Sequence, residues 1–168
     1  MLLDYLARIV GNISDDLKER RRYSKRNIKI AKSAEVLVSA NLICENGGVI
    51  EIGENSFVND FCSITAYGSN IQIGKGVLVG PGTVMHTVHH HFERTDIPIW
   101  KQKRDGKTIV IEDDVWIGSH CTILGGVRIG AHSIVGANSL VNKDIPPYSI
   151  AYGVPCKVRR KRKNSVDM

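Results

Sequence analysis

The chain has 168 residues, of which 42% are hydrophobic and 24% charged, with a formal net charge of +6 at pH 7. This length is that of one domain, and no apolar run approaches the roughly 18 residues that a membrane-spanning helix requires. Most of the net positive charge lies in residues 157–168, where the run KVRRKRK contains no aromatic side chain.

This charge distribution argues against nucleic-acid binding, because proteins that bind nucleic acids usually combine a basic stripe with aromatic platforms. The basic tail instead fits a solubilised chain end, or a weak contact with an anionic ligand or a membrane surface. We therefore expect no nucleic-acid partner.

Residues 1–27 are predicted to form an N-terminal helical cap. Apolar residues recur at spacings of three and four between Leu3 and Leu17, which is typical of an amphipathic helix. Such a stripe would cover the open end of a solenoid; docking on a membrane surface is the alternative. The segment MLLDYLARIV lacks a basic start and a small-residue cleavage site, so it is not a secretory signal and we expect a cytoplasmic protein.

An aliphatic residue recurs at every sixth position over much of residues 28–145. A period of six fits neither a helix nor simple strand alternation, and it predicts an all-β fold, a β-helix whose coils have three sides of six residues. Small or β-branched residues follow four places later, and Cys62 and Cys121 in this slot are predicted to be buried, reduced thiols. The inward residues would be Ile30, Val36, Leu42, Ile52, Val58, Ile64, Ile73, Val79, Met85, Ile111, Ile117, Ile123, Ile129, Val135 and Val141.

Residues 86–108 interrupt the repeat with a polar, charged segment that contains Pro98 and Trp100. A long loop inside a compact repeat is usually functional, so this protruding loop is where we expect the chemistry. The repeat resumes and ends near residue 145, because Pro146 and Pro147 cannot donate to a strand ladder. Residues 146–168 are predicted to leave the solenoid as a C-terminal extension with a basic tail.

Histidine is the natural general base near neutral pH, and the loop contains four, at positions 86, 89, 90 and 91. His120 and His132 follow coil glycines by two places and are predicted to be turn residues. A zinc site would need a second histidine close behind His120, where Gly125 stands instead. No metal is therefore expected.

Two stretches resemble a known family. The segment VWIGSHCTILGGVRIGAHSIVGANSLVNKDIPPYSIAYGVPCKVRRK is similar to the C-terminal half of the hexapeptide-repeat acyltransferases. The insertion HHHFERTDIPIWKQ is similar to that of the branch that O-acetylates sugars, which includes galactoside and maltose acetyltransferases. The resemblance covers about residues 28–160. It implies a left-handed parallel β-helix and a homotrimer with active sites between subunits.

The resemblance also implies roles for individual residues. The catalytic base would be His90, which lies nine residues after Pro81 and two before Phe92; the other histidines of the loop remain alternatives. Asn59 and Trp116 would face the substrates, although Asn59 fits a turn residue equally well. Contacts to acetyl-CoA, the acyl donor, would come from Ser119, Ala137, Asn142, Lys143, Lys157 and Arg160.

We therefore predict an acetyl-CoA-dependent O-acetyltransferase that acts on a sugar or a polysaccharide precursor. The absence of a Gly-x-Ser-x-Gly motif favours direct transfer over a covalent acyl-enzyme. Glu93 or Asp96 could orient the base. The alternatives are an N-acetyltransferase on an amino sugar, a xenobiotic acetyltransferase, and a non-catalytic β-helix scaffold.

Overall fold

The computed structural model describes residues 27–163, which wind into a parallel β-helix with three sheets as its sides. Sheet A contains β1 (Ile28–Ile30), β4 (Ile50–Ile52), β7 (Ile71–Ile73), β12 (Ile109–Ile111) and β15 (Arg128–Ile129). Sheet B contains β2 (Glu35–Val36), β5 (Phe57–Val58), β8 (Leu78–Val79), β13 (Trp116–Ile117), β16 (Ile134–Val135), β18 (Ser149–Tyr152) and β19 (Lys157–Lys161). Sheet C contains β3 (Asn41–Glu45), β6 (Ser63–Tyr67), β9 (Val84–His86), β14 (Thr122–Leu124) and β17 (Leu140–Val141).

The predicted hexapeptide register is confirmed, and the architecture is that of the predicted left-handed parallel β-helix. From Ile52 to Val141 every predicted inward side chain is at most 3% exposed. Ile30 and Val36 are only partly buried because β1 and β2 are the terminal strands of their sheets. The predicted N-terminal helical cap lies outside the described residues.

At the positions that the repeat fills with small residues, side chains form hydrogen bonds with the backbone of the next coil. The Ser56 hydroxyl donates to the Gly74 carbonyl at 2.7 Å and accepts from the Val77 N–H at 3.0 Å, so its buried oxygen is satisfied. Cys62 and Cys121 are buried and free, as predicted. Burial raises the pKa of both thiols, which keeps them protonated and unreactive.

The prediction that the chain leaves the solenoid after residue 145 is wrong for β18. This strand pairs in parallel with β16, and β19 then adds an antiparallel strand at the end of sheet B. The prolines interrupt only a turn, after which Ser149 and Ala151 return to fully buried positions. The register therefore survives the Pro146–Pro147 step.

The predicted protruding loop is partly ordered as a β-hairpin. Strand β10 (Val88–His90) pairs antiparallel with β11 (Arg104–Gly106), and a short 3₁₀ helix, Ile99–Lys101, lies between them. Within residues 27–163, no helix has the length and apolar character to cross a membrane.

The three sheets form the sides of a prism. Two of the edges between these sides carry predicted site residues. Edge BC is where the chain passes from sheet B to sheet C, and edge CA is where it passes from sheet C to sheet A. Edge BC comprises residues 37–40, 59–62, 80–83, 118–121 and 136–139. Edge CA comprises residues 46–49, 68–70, 87–108, 125–127 and 142–144.

Candidate active site

The hairpin on edge CA carries the histidine cluster. Its strands are joined by bonds from the Lys107 N–H to the Thr87 carbonyl at 3.0 Å and from the His91 N–H to the Lys103 carbonyl at 2.9 Å. Gly106 allows the hairpin to lie against β6, because a Cβ there would overlap the carbonyl oxygen of Tyr67. The insertion is thus an ordered hairpin that fixes the relative positions of its side chains.

Strand alternation separates the imidazoles of the hairpin. His89 and His90 are both exposed, but His90 lies on one face of the hairpin, whereas His89 and His91 share the other. The ring centroids of His89 and His91 are 6.4 Å apart, and the His91 Nε2 lies 2.6 Å from an Asp105 carboxylate oxygen. The imidazole of His90 is therefore presented separately from the rest of the cluster.

The carboxylates expected to orient the base contact other groups. The Glu93 carboxylate lies 3.6 Å from His91, and Asp96 forms an ion pair with Arg94. Neither carboxylate pairs with His90 within residues 27–163, so the prediction that one of them orients His90 is wrong. Asp105 was missed from the sequence because its place opposite the cluster follows only from the register of the hairpin.

The remaining histidines lie on the coils. His86 ends β9, where its Nε2 lies 3.4 Å from the Ser63 hydroxyl. His120 and His132 have φ values of 55° and 61°, which places both in left-handed turns as predicted. His132 stacks on Tyr148 with ring centroids 4.7 Å apart. These three histidines thus lie on the coils and not on the hairpin.

A second group of predicted residues lies on sheet B and edge BC. Trp116 is 52% exposed on the outer side of β13, and Ser119 and Ala137 are on edge BC of successive coils, where the Ser119 carbonyl accepts the Asn138 N–H at 2.9 Å. Asn59 lies on the same edge, about 10 Å away because two strand spacings intervene. Its side-chain oxygen accepts the N–H of the next residue at 2.9 Å, a turn contact that leaves the amide NH₂ available.

The cationic residues of the C-terminal strand extend this group. Lys157 and Arg160 lie on β19, and both are exposed. Strand β19 is the third strand beyond β13 in sheet B, so it lies about 14 Å from Trp116. A ligand that reaches from Ser119 to these cations would follow the outer side of sheet B.

Asn142 and Lys143 belong to the other edge. They follow β17 and are exposed on edge CA, two strands from β9, which leads into the hairpin. The predicted residues thus form two groups, one with His90 on edge CA and one with Trp116 and Ser119 on sheet B and edge BC. The width of sheet C, about 15–20 Å for a side of five to six residues, separates the two edges in one chain.

One cavity of the described residues coincides with neither group. It measures about 1330 Å³ and lies along sheet A, between Ile28–Val36 and residues such as Glu112 and Asp113. Among residues 27–163, no three His, Cys, Asp or Glu side chains are grouped so as to hold a metal ion.

Comparison with known proteins agrees with the coil pattern. Residues 108–143 match the family described as bacterial transferase hexapeptide (six repeats). The chain is 39% identical over 120 residues to the galactoside O-acetyltransferase of Escherichia coli K12, covering 68% of this chain and 55% of that protein. It is 34% identical over 140 residues to the galactoside O-acetyltransferase of Lactococcus lactis, covering 68% and 64%. The chain therefore spans less than two thirds of the length of these relatives.

A solved structure matches over a larger share of its length. The hexapeptide-repeat-containing acetyltransferase of Vibrio cholerae O1 biovar eltor, complexed with acetyl coenzyme A, is 30% identical with a TM-score of 0.56. The match covers 90% of this chain and 78% of that one. Given this coverage together with the repeat register, the chain belongs to the hexapeptide-repeat transferase family.

Proposed function

We propose that this protein is an acetyl-CoA-dependent O-acetyltransferase that transfers an acetyl group to a hydroxyl of a sugar or a polysaccharide precursor. Two relatives named galactoside O-acetyltransferase and a solved relative complexed with acetyl-CoA support the reaction class. The observation that carries the proposal is the exposed imidazole of His90, presented by an ordered hairpin inserted between coils.

In the proposed reaction, His90 is the general base. Its imidazole takes the proton of the acceptor hydroxyl as that oxygen attacks the thioester carbonyl. A backbone N–H near Ser119 stabilises the oxyanion that develops on the carbonyl oxygen. The new C–O bond forms, the C–S bond breaks, and the imidazolium returns its proton to the thiolate of CoA. The acetyl group passes directly between the two substrates.

We further propose that the site forms between neighbouring copies in a homotrimer. One chain holds its two groups of site residues on different edges, so His90 of one copy must meet Trp116 and Ser119 of another. A closed ring of identical copies brings edge CA of each chain to edge BC of the next.

The outer side of sheet B supports this assembly. Its exposed or half-buried positions form a row of apolar side chains, whereas the outer side of sheet A carries an ion pair between Lys29 and Glu51. An apolar row of this kind is typical of a surface covered by another chain. The row consists of Phe57, Leu78, Trp116, Ile134 and Ile150.

Acetyl-CoA would extend along sheet B. Its thioester would lie near Ser119, its pantetheine arm would pass Ala137 and, from the other copy, Asn142 and Lys143, and its phosphates would reach Lys157 and Arg160. Cationic side chains favour phosphates through charge-assisted hydrogen bonds. The free cysteines fit a reducing compartment, so we propose a cytoplasmic location.

The test is thiol release from acetyl-CoA with a panel of sugars. His90→Ala should lower kcat about 10²- to 10⁴-fold, the contribution typical of a general base. His89→Ala is the matched control, because this neighbouring imidazole lies on the other face of the hairpin, and it should retain most activity. Unchanged turnover in His90→Ala would show that another group is the base.

Calorimetry with acetyl-CoA separates the enzyme from a scaffold. Binding by the wild-type protein and by His90→Ala is expected, since the imidazole acts on the acceptor hydroxyl. A protein that binds no acetyl-CoA would be a scaffold instead. In the same assay, thiol release with glucose, which has no amine, would show O-acetyl transfer, whereas release with glucosamine but not with glucose would indicate N-acetyl transfer.

A further inference from the structure

Arg104 faces His90 across the hairpin. The Cα atoms of the two residues are partners in the register of β10 and β11. Backbone hydrogen bonds join Lys107 to Thr87 and His91 to Lys103, and hydrogen-bonded pairs alternate with non-hydrogen-bonded pairs along an antiparallel ladder, so His90 and Arg104 form a non-hydrogen-bonded pair. In such pairs both side chains project from the same face, with Cβ atoms about 4.5–5.5 Å apart. The Arg104 side chain therefore projects from the same face of the hairpin as the proposed base.

Tyr67 holds this guanidinium in place. The Arg104 Cζ lies 4.7 Å from the centroid of the Tyr67 ring, within the range of a cation–π contact. Gly106 permits the close approach of β11 to β6 that brings the two side chains together. A planar guanidinium that stacks by its face still presents its N–H groups at the edge. Arg104 is thus oriented to donate hydrogen bonds.

The charge of Arg104 is not matched by a carboxylate within residues 27–163. Two other cations of the insertion are paired there, Lys103 with Asp105 at 2.9 Å and Arg94 with Asp96, whereas Lys101 and Lys107 are, like Arg104, without a carboxylate partner in this part of the chain. The Asp105 carboxylate, adjacent in sequence to Arg104, is directed to Lys103 and His91. Arg104 thus lies over the Tyr67 ring, on the face of the hairpin that carries the proposed base, and has no carboxylate partner among the described residues.

We propose that Arg104 binds an anionic group of the acceptor, so that the acceptor is an acidic sugar carrying a carboxylate or a phosphate near the acetylated hydroxyl. This inference rests on the proposed function, because it takes His90 as the group at that hydroxyl. A bidentate contact from a guanidinium suits both anions. The phosphates of CoA are a separate source of negative charge, but the pantetheine arm separates them from the thioester that must lie at His90.

The test compares acceptors that differ only in charge. Galacturonic and glucuronic acids are paired with their methyl esters, and galactose 1-phosphate with methyl galactoside. In wild-type protein the anionic member of at least one pair should have the higher kcat/KM. Arg104→Gln should lower kcat/KM for that acceptor roughly 10- to 100-fold, the range for a lost hydrogen bond to a charged group, and leave the neutral partner within about twofold.

Three further variants sharpen the result. Arg94→Gln removes a guanidinium of the same insertion that is already paired with Asp96, and it should change neither acceptor. Tyr67→Phe keeps the ring and should retain the preference for the anion, whereas Tyr67→Leu should weaken it. Arg104→Lys should recover part of the loss, because it restores charge without the planar fork.

Several outcomes would overturn the inference. Equal losses for charged and neutral acceptors in Arg104→Gln would assign it a structural role. A raised KM for acetyl-CoA but not for acetyl-pantetheine would mean that it binds the CoA phosphates.

A direct binding assay keeps the inference separate from the proposed function. If no sugar is turned over, titration of galacturonic acid, galactose 1-phosphate and their neutral partners, followed by NMR, still decides it. Binding of an anion that is lost in Arg104→Gln would uphold the anion site while the acetyltransferase proposal fails. Equal binding to both proteins, or binding of none of the probes, would reject the site.

Discussion

The Nε2 atom of His91 lies 2.6 Å from the Oδ2 atom of Asp105, on the face of the hairpin opposite to His90. This contact ties β10 to β11 next to the proposed base. Lys103, and then His91, hold the pKa of the Asp105 carboxyl below its usual range. The carboxylate therefore stays ionised at neutral pH, and its contribution to hairpin order is lost as the pH falls through that lowered pKa.

Asp105→Asn should consequently lower kcat by about tenfold with little change in KM for acetyl-CoA, because a misplacement of about 1 Å can cost up to about 100-fold in rate. The side chain is well exposed, so the melting temperature should stay nearly constant. Steady-state kinetics at pH 7, where the Asp105 carboxylate is ionised, check this, with Asp96→Asn, which affects only the Arg94 pair, as control. An unchanged kcat in Asp105→Asn would show that this contact does not position His90.

Gly106→Ala should move the hairpin away from β6. The added Cβ would overlap the Tyr67 carbonyl oxygen, and overpacking of this kind costs about 1–3 kcal/mol. We expect a fall in kcat and faster hydrogen exchange in residues 88–106, with the coils unaffected. Lys107→Ala, at the next and exposed position, is the control. Wild-type exchange in Gly106→Ala would contradict the close packing of hairpin and coil.

Leu78→Glu tests the proposed assembly. Leu78 is 49% exposed in the apolar row of sheet B, and a carboxylate there would be desolvated against a neighbouring chain at a cost of several kcal/mol. Light scattering should show a shift from trimer towards monomer, with loss of activity. Gln72→Glu, an exposed position on sheet A, should leave the trimer intact. If both variants keep the wild-type mass, the copies do not meet through this part of sheet B.

Asp114→Asn should loosen the C-terminal strand. The Asp114 Oδ2 atom lies 2.9 Å from the His132 Nδ1 and 2.9 Å from an Arg162 nitrogen. The hydrogen bond with His132, followed by that with Arg162, lowers the pKa of this carboxyl, so the stabilisation is present near neutral pH and disappears as the pH falls through the lowered value. Because the carboxylate is half exposed, we expect at most about 1 kcal/mol.

Amide hydrogen exchange of β19 checks this expectation. Exchange should be faster in Asp114→Asn than in wild type at pH 7, and the two proteins should converge in acid. Glu54→Gln removes a different surface carboxylate, paired with Lys75 at 3.0 Å, and should leave β19 unchanged. Equal protection of β19 at pH 7 in all three proteins would mean that Asp114 does not anchor the strand.

The repeat was predictable from the sequence over most of its length but not at its C-terminal end. The inward positions from Ile52 to Val141 were predictable because each coil touches only the next, so a local spacing defines the packing. Pro146 and Pro147 predict the end of the solenoid, because neither can donate to a strand ladder. Their effect on one turn could be judged only when Ala151 was seen to return to the core.

The insertion shows a different limit. Its position and its histidines were evident from the broken period, and the resemblance singled out His90. The residues around His90 were not predictable, because the pairing of His90 with Arg104 depends on a hairpin register that no repeat dictates. The stack of Arg104 on Tyr67 joins residues 37 positions apart in the chain and depends on how the hairpin packs on β6.

By itself, the sequence determined the coil register, the buried thiols and the family, since all three follow from short-range spacing of residue types. Only the tertiary structure decided that the insertion is a hairpin, that His90 projects away from His89 and His91, and that the predicted site residues fall on two separate edges. The physical reason is that six residues make up one side of the three-sided coil. Each side chain is therefore assigned to a side or to an edge only when the chain winds into the prism. Contacts between an inserted element and that prism depend on surfaces that come together only after the coils have formed.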